Sequence, residues 1–436
     1  MITFRPDHKV ILRYWDVKTK KYIEKDISDD VVSINTNKAF ARAAGGFQIT
    51  TTFNTRIDSK RYDEIVKTDD IIMISLDAGD GKGLQSVMIG LVDRVGRVRS
   101  YDAEGRPQFR CRINGTDFGK LLMKHDCIVD ITPLKDTETG TVTGGDNSEY
   151  LFRLAQGVTF SGTPKEILDS LFYKLFFNQL LLPQDYMDIW FPDVTPDDWQ
   201  TYNWALLEST GSIWNAMKAT ANEPCNVLST ETYNGKFYVI HEKYPFDPTT
   251  GKLLCKETGP APGETGTRGV LRTIDDRLVI SEDLGLCDNE RTNYVYLKAP
   301  QFVMAAALEG IPVQFAQGVY NGPQDEIMTH GFSPWEVTIN FAPPNVPAID
   351  VWMKDAALEP IKNKSEMLWT RVKNNHLLES GTLTIHGAPE YKVGDGGLME
   401  NGLEYFVEQV THNYQIGMAG TTYQTCLGLT RGQKHA

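Results

Sequence analysis

No C-x-x-C pair occurs in this chain, and its six cysteines (Cys111, Cys127, Cys225, Cys255, Cys287 and Cys426) are widely spaced. That speaks against a zinc knuckle or a dense disulfide framework and leaves the cysteines as small buried apolar residues. Apolar runs are short. None approaches the roughly 18 to 20 residues that a bilayer span requires, so no membrane span is expected. The opening MITFRPDHKVILRYWDVKTKKY lacks the basic-then-apolar order of a signal peptide, and the chain is expected to start out in the cytoplasm. The eight histidines form no H-E-x-x-H or H-x-H pair. G-x-x-x-x-G-K-[ST] and G-x-S-x-G are absent as well, so nucleotide hydrolysis and serine esterase chemistry lack support.

What is present is a chain of 436 residues, 41% hydrophobic and 23% charged, close to globular averages. That length suggests two to four domains. Charge is unevenly divided. Residues 1–132 hold 22 Lys and Arg against 19 Asp and Glu, a net +3, whereas the remainder holds 22 against 38, a net −16. An acidic surface of this kind disfavours tight binding to nucleic-acid phosphates.

Residues 1–132 are strand-rich, with runs such as KVILRYWDV, GFQITTTF, IIMISLDA, SVMIGLVDRV and FRCRING divided by turn residues. Short strands at this spacing indicate a sandwich or small barrel, because each must bury its apolar face against others. A polar linker is expected over 133–150 and an α+β domain over 151–245. There Thr163, Pro164 and Glu166 start a helix whose buried face is Ile167, Leu168, Leu171, Phe172 and Leu175. A second helix starts at Ser212, and Asn234-Gly235 predicts a hairpin. Strands return over 246–299 and 366–436, interrupted by 300–365, which reads as an insertion.

A repeat is visible. VVSINTNKAFARAAGGFQITTTF (from Val31) and RLVISEDLGLCDNERTNYVYLK (from Arg277) share a strand, link, strand plan. KTDDIIMISLDAGDGKGLQSVMIGLVDRV and YKVGDGGLMENGLEYFVEQVTHNY share another: a turn or strand start with Asp, a Gly-rich hairpin, and a long strand. Two matching pairs in one order suggest two copies of one barrel. On the last of these strands Leu403, Tyr405 and Val407 alternate with Phe406, Val410 and Tyr414, so both faces are partly apolar and the second is expected to meet another domain or subunit.

The segment PEYKVGDGGLMENGLEYFVEQVTHNYQIGMAGTTYQTCLGLTRG resembles the C-terminal signature of phage tail baseplate hub (late-control) proteins, which are similar to the base of type VI secretion spike proteins. The elements that carry the resemblance are Pro389 with Gly394-Asp395, YFVEQVTHNY, GMAG and the terminal LGLTR, with AAGGFQITTTF, VMIGLVDRV and INGTDFGKLL near the N-terminus. The resemblance implies a mainly β protein with an α+β part. Two related tube-type β-barrels are then joined by an α/β domain and carry an insertion. It further implies a homotrimer forming a pseudo-six-fold ring in the virion tail. A tail tube or distal tail protein would sit above that ring, a spike or tip below, other baseplate proteins around it, and DNA would pass through the lumen.

Several groups invite a chemical reading. His386 and His412 fall on neighbouring predicted strands, where ordinary strand histidines outweigh a metal pair. Asp77 and Asp80 in DAGDGKG lack the ligand alternation of an EF-hand loop, which favours a plain hairpin. Asp185, Asp188, Asp193, Asp197 and Asp198 sit among Trp190, Phe191, Trp199 and Trp204, the residue types a glycosidase or a carbohydrate-binding β-protein would use. A packed linker whose aspartates cap short helices is the preferred reading. Arg94, Arg97, Arg99, Arg106, Arg110 and Arg112 cross a predicted hairpin and leave DNA, an acidic protein or solvent open as partners. No catalytic, cofactor-binding or metal residue is assigned, and a non-enzymatic role is expected.

Overall fold

A computed structural model describes residues 5–16, 19–52, 56–57, 60–101, 107–125, 161–177, 184–193, 201–202, 211–221, 223, 225–247, 249–286, 291–298, 317–321, 324–338, 365–417 and 420–435. The expected linker over 133–150, Arg106, Cys127, Cys287, Asp197, Asp198, Trp199 and Trp204 lie outside the described residues.

Strands β1 (Asp7–Asp16), β2 (Lys21–Asp26), β3 (Val31–Ala39), β4 (Gly46–Thr52), β5 (Ile71–Asp77), β6 (Gln85–Tyr101) and β7 (Pro107–Asp117) precede a short helix α1 (Gly119–Lys124). Helix α2 (164–177), strand β8 (Met187–Trp190), helix α3 (Ile213–Thr220) and the hairpin of β9 (Asn226–Tyr233) and β10 (Lys236–Lys243) come next. Then follow β11 (Leu271–Ile274), β12 (Val279–Leu286), β13 (Tyr294–Lys298), β14 (Gln317–Asn321), α4 (Gln324–His330), β15 (Pro334–Thr338) and α5 (365–372). The chain closes with β16 (Glu379–His386), β17 (Gly396–Met399), β18 (Leu403–Gly417) and β19 (Gly420–Lys434).

Local chemistry sets these boundaries. Thr163 accepts a hydrogen bond from the Glu166 amide at 3.3 Å while Glu166 accepts one from the Thr163 amide at 2.9 Å, which closes the capping box ahead of α2. All five residues read as the buried face of α2 are fully inaccessible. Ser212 caps α3 through the Asn215 amide. Asn234 (φ 50) and Gly235 (φ 76) take the two left-handed positions that a tight β9–β10 hairpin needs.

The fold is mainly β. Its dominant feature is a 13-stranded sheet in the order β12-β16-β19-β18-β3-β4-β7-β6-β5-β1-β2, with β17 pairing β18 and β11; all its pairs are antiparallel except β11–β17. That path is open at both ends among the described strands. One apolar core lies under the first part of the sheet, around Val10, Ile34, Ile49, Ile72, Met88 and Ile113, and it takes in Tyr414 and Tyr423 from the last two strands. A second lies under the last part, around Leu383, Val393, Phe406, Val410 and Leu427. A third joins α1, α2, α3 and the β8–β10–β9 sheet to Ile71, Ile89 and Leu91 on the other face of β5 and β6.

The pairing order exposes a duplication. From β3 the ladder runs β3–β4–β7–β6–β5–β1, and from β12 it runs β12–β16–β19–β18–β17–β11. Taken in chain order, the six strands of each series occupy matching places. The bulges coincide as well, at Val31/Ser33 and Val279/Ser281, and at Val92/Arg94 and Val407/Gln409. The series differ elsewhere: β1 is antiparallel to β5 whereas β11 is parallel to β17, and the bulges at Ile74/Ser75, Glu379/Gly381 and Glu404/Phe406 have no counterpart in the other series.

The Asp-containing turn read from the sequence is the most detailed match. Asp70 and Asp395 each accept from the amide three residues back, of Lys67 at 2.7 Å and Lys392 at 3.1 Å. Their carbonyls accept from Val92 and Val407, each at 2.9 Å, and the amides just before them donate back to the Val92 and Val407 carbonyls. This closure forces positive φ on the preceding residue, 69° at Asp69 and 91° at Gly394.

Two expectations are corrected here. β13, read as the second half of a repeat, pairs with β14 and β15 in a separate sheet, and the true counterpart of β4 is β16. The intervening segment breaks the contiguity on which the sequence comparison relied. On β18, bulges at Glu404/Phe406 and Val407/Gln409 disturb strict alternation, so Tyr405, Phe406 and Val407 are all buried. The expected contact of the second face with another domain is met by Phe40 of residues 1–132, which packs on Phe406 beside Phe246, while Tyr405 donates to Glu379 at 2.6 Å.

Burial pushes the Asp70 carboxyl up to about 6, above its unfolded value. The folded state therefore holds the proton more tightly than the unfolded chain between about pH 4 and 6, and stability from this group is lost as pH rises through that window. Asp70→Asn keeps an acceptor for the Lys67 amide and removes the charge. It is expected to be more stable than the parent by roughly 1–3 kcal/mol at pH 7, with the difference shrinking towards pH 4, as read by urea denaturation of both proteins across that range.

Candidate interaction surfaces

A strand alternates its side chains, so the registers assign faces across the sheet. On β3, β4, β7, β18, β19 and β16 the inward positions include Ile34, Ile49, Ile113, Val410, Leu427 and Leu383, all buried. The opposite face is polar. At its centre Asn35 donates to Asn413, and Asn37 donates to the Thr411 hydroxyl at 2.9 Å, across the β3–β18 pair. Gln48, Asn114 and Gln424 extend the amide row to β4, β7 and β19. From Thr382 to His386 on β16, Thr422 to Gly428 on β19, Gln409 to Gln415 on β18, Ser33 to Ala39 on β3 and Gly46 to Thr52 on β4, and bordered by exposed Glu408 in the bulge beside Gln409, the ladder positions on this face hold Ser, Thr, Asn, Gln, Cys, His, Gly or Ala. In a chain of net charge −13 that is a marked local exclusion.

Charge collects at the two ends of this face. At one end, the hairpin of β6 and β7 carries the arginines singled out from the sequence. Arg94, Arg97, Arg99 and Arg112 are exposed and Arg110 is half-buried. The register puts Arg94, Arg110 and Arg112 on the polar face and Arg97 and Arg99 on the other. Arg97 reaches Asp63, Arg99 lies over the Phe109 ring at 5.5 Å, and Arg110 donates to Gln108 at 3.1 Å. At the other end, the edge strand β12 exposes Ile280, Glu282, Asp283 and Leu286, with Leu286 67% accessible.

A network of buried charge lies where the two strand series and the β9–β10 hairpin meet. The Lys38 ammonium is 3.3 Å from Asp117 and 3.4 Å from Glu231. Arg268 grips Glu242 with two nitrogens, at 2.7 and 3.0 Å, and donates to the Tyr233 hydroxyl and the Val393 carbonyl. Burial raises Asp117 and Asp395 and lowers Lys392. At Glu231 burial is outweighed by the Lys38 and Lys392 ammonium groups, and the carboxyl falls below its usual range. Sequence reading missed this network, because single charges on strands such as NVLSTETY give no sign that they converge.

Two of the candidates for chemistry, Asp80 and His386, line one open cleft. His386 and His412 lie on β16 and β18, on either side of β19; His386 is exposed, whereas burial holds His412 down to about 3 among Tyr423 and Thr425. Asp77 and Asp80 accept turn amides from Gly79 and Lys82, and Asp80 also pairs with the Lys82 ammonium at 2.8 Å. Asp188 is held by Lys236 at 2.7 Å and by the Tyr173 hydroxyl, while Asp185 and Asp193 are exposed. Among the described residues no group of three or more His, Cys, Asp or Glu is placed to hold a metal. Cys111 is buried and Cys225, Cys255 and Cys426 are half-buried, none of the four in a disulfide. No described helix is long and apolar enough to cross a membrane.

The class to which these features belong is a doubled antiparallel β scaffold whose exposed chemistry lies on faces and edges. Its likenesses are to phage tail proteins. The tail protein from Neisseria meningitidis MC58 aligns over 98% of this chain and 96% of its own, with a TM-score of 0.51 at 13% identity. The 43 kDa tail protein of prophage MuSo2 from Shewanella oneidensis aligns over 97% and 98%, also with a TM-score of 0.51 at 13% identity. This chain therefore shares its fold with phage tail proteins over nearly its whole length. A PdpA–VgrG complex aligns over 98% of this chain and 65% of its own, but a TM-score of 0.46 at 7% identity is too weak to bear on the fold. No protein-family model and no curated protein matches the sequence.

Removing one partner from a buried ion pair strands the other, whereas removing both need not. Arg268→Leu is expected to cost roughly 3–5 kcal/mol, and Arg268→Leu with Glu242→Leu clearly less. Urea denaturation of the single and double variants reads the difference.

Proposed function

We propose that this protein is a structural component of a phage tail, the hub of its baseplate. Three protomers would form a ring in which each supplies two related barrels, one per strand series, so that the ring is pseudo-six-fold. The ring continues the tail tube and carries the spike or tip. Its place is the virion tail, and its role is to present surfaces rather than to catalyse. The units we take are residues 1–132 and the discontinuous 246–290 with 366–436 as barrels, 151–245 as the α+β part packed between them, and, in place of the 300–365 read from the sequence, an insertion that begins near residue 291 and faces outer baseplate proteins.

The observation that carries this reading is the uncharged polar face spanning the β3–β18 joint. A wall along which a polyanion must pass cannot carry acids, which repel it. Nor can it carry clustered cations, which would hold it through counterion release. Amides and hydroxyls do neither. The shared fold with phage tail proteins supports the same conclusion.

Electron microscopy of the purified chain is expected to show rings of three protomers with six similar lobes and an axial opening. Placing acids on the polar face, as in Asn413→Glu with Gln424→Glu, is expected to leave ring and particle assembly intact while lowering delivery of nucleic acid. Solid particles without an opening, or unchanged delivery by such variants, count against the reading.

A further inference from the structure

The duplication assigns the joint between protomers. Within the chain, the two series meet where β3 pairs antiparallel with the distal half of β18, from Ala39 opposite Gln409 to Ser33 opposite Gln415. By the shared bulges, the counterpart of β3 is β12 and the counterpart of distal β18 is β6 from Arg94 onward. β12 ends the sheet, and β6 beyond Arg94 pairs with β7 alone among the described strands. We propose that β12 of one protomer pairs with this half of β6 in a second copy of the chain, repeating between protomers the joint made within each. The proposal deepens the ring reading above and rests on it for closure, since a head-to-tail contact closes only if its rotation does.

The register transfers without free choice. Gly285 comes opposite Gly96, Leu286 opposite Val95, Asp283 opposite Val98 and Glu282 opposite Arg99, because their counterparts Asn37/Thr411, Lys38/Val410, Asn35/Asn413 and Ile34/Tyr414 are paired within the chain. The backbone is suitably aimed. The Phe40 amide donates to the Glu408 carbonyl, so alternate residues of β3 (Lys38, Thr36, Ile34) point their amides at β18. Their counterparts Leu286, Leu284 and Glu282 then point outward from the edge of β12. In agreement, the Asp283 carbonyl faces inward, close against Gly381 of β16.

Charge favours this occupant. Positions of β18 and β19 that are neutral in the inner joint are arginines in the first series: Gln409 becomes Arg94, Tyr414 becomes Arg99, Gln424 becomes Arg110 and Cys426 becomes Arg112. On the strand that would meet them, Ile34 and Asn35 become Glu282 and Asp283. A basic hairpin and an acidic edge have replaced two neutral surfaces, each on the side where the other is required. Pairing would also cover Leu286 and end an edge that is otherwise a template for misassembly.

A disulfide reads the register directly. A Cβ on Gly96 or on Gly285 meets no atom within 4 Å, and the corresponding side chains of the inner joint, Asn37 and Thr411, touch at 2.9 Å. The full-length Gly96→Cys, Gly285→Cys double variant is expected to give a ladder of cross-linked protomers on mild oxidation, whereas either single variant, or Gly96→Cys with Ser281→Cys, is not. Glu282→Pro, which removes an outward amide and no inner ladder bond, is expected to leave monomers of 49.0 kDa by light scattering with an unchanged circular dichroism spectrum. An oligomer that neither cross-links in this register nor responds to Glu282→Pro overturns the joint and leaves the ring reading standing. A wild-type chain that stays monomeric at all concentrations, with no rings in tail particles, overturns both.

Discussion

A β-strand at the edge of a sheet presents unpaired amides and carbonyls, and the architecture of this protein follows from where it disposes of them. The first strand series ends on β3 and the second offers the distal half of β18; pairing the two merges separate sheets into one. Both cores depend on that merger. Tyr414 and Tyr423 belong to strands of the second series yet pack in the first core, and the Tyr414 hydroxyl lies 3.0 Å from His8 on β1. Phe40, just past the end of β3, packs in the second core against Phe406. Neither half could be trimmed at the joint without opening its neighbour.

The buried ions at the meeting point of the three units act differently from the cores. Hydrophobic contact is nondirectional, so it would tolerate the β9–β10 hairpin in several positions against the merged sheet. Lys38 between Asp117 and Glu231, and Arg268 across Glu242, Tyr233 and Val393, are satisfied in one arrangement alone. Desolvating such groups offsets most of their mutual attraction, so their contribution is to position rather than to net stability. In the ring proposed above, whose subunits would be interchangeable, a fixed disposition of units would be the more valuable property.

The sequence made some of this legible and hid the rest for physical reasons. Signals written in consecutive residues were readable: the Thr163 box, the Ser212 cap, the Asn234-Gly235 hairpin and the Asp-containing turns before β5 and β17, because local hydrogen bonds decide them. The doubled strand pattern was legible for the same reason, since the Asp turn and the long strand after it recur together. What failed depended on contacts distant in the chain. β12 finds its partner β16 only after the β13–β15 sheet, so the strand next in sequence was mistaken for the strand next in space. Bulges on β18 moved Tyr405 and Val407 out of strict alternation, which no composition rule marks. The acidic edge of β12 and the arginines of β6 and β7 were each visible alone, but their relation emerges only when the two ladders are aligned.

The divergence between the two series then has a physical rationale. The β3–β18 joint forms within one chain, where the tether supplies a high effective concentration, so neutral amides and ordinary packing suffice to select it. A joint between protomers has no tether, and its strands must find one edge among several of similar shape. With neutral edges everywhere, β12 could pair with β18 of another chain as readily as with β6, giving swapped or open-ended assemblies. In the proposed joint, Glu282 and Asp283 would face a basic hairpin and so favour the correct edge, and they would disfavour an encounter of β12 with another β12, where acid would meet acid. The same division keeps charge away from the central amide row. On the proposed reading the fold places ions at the seams, where partners would be chosen, and leaves the stretch of face at the β3–β18 joint neutral, where a passing polyanion would be neither held nor repelled.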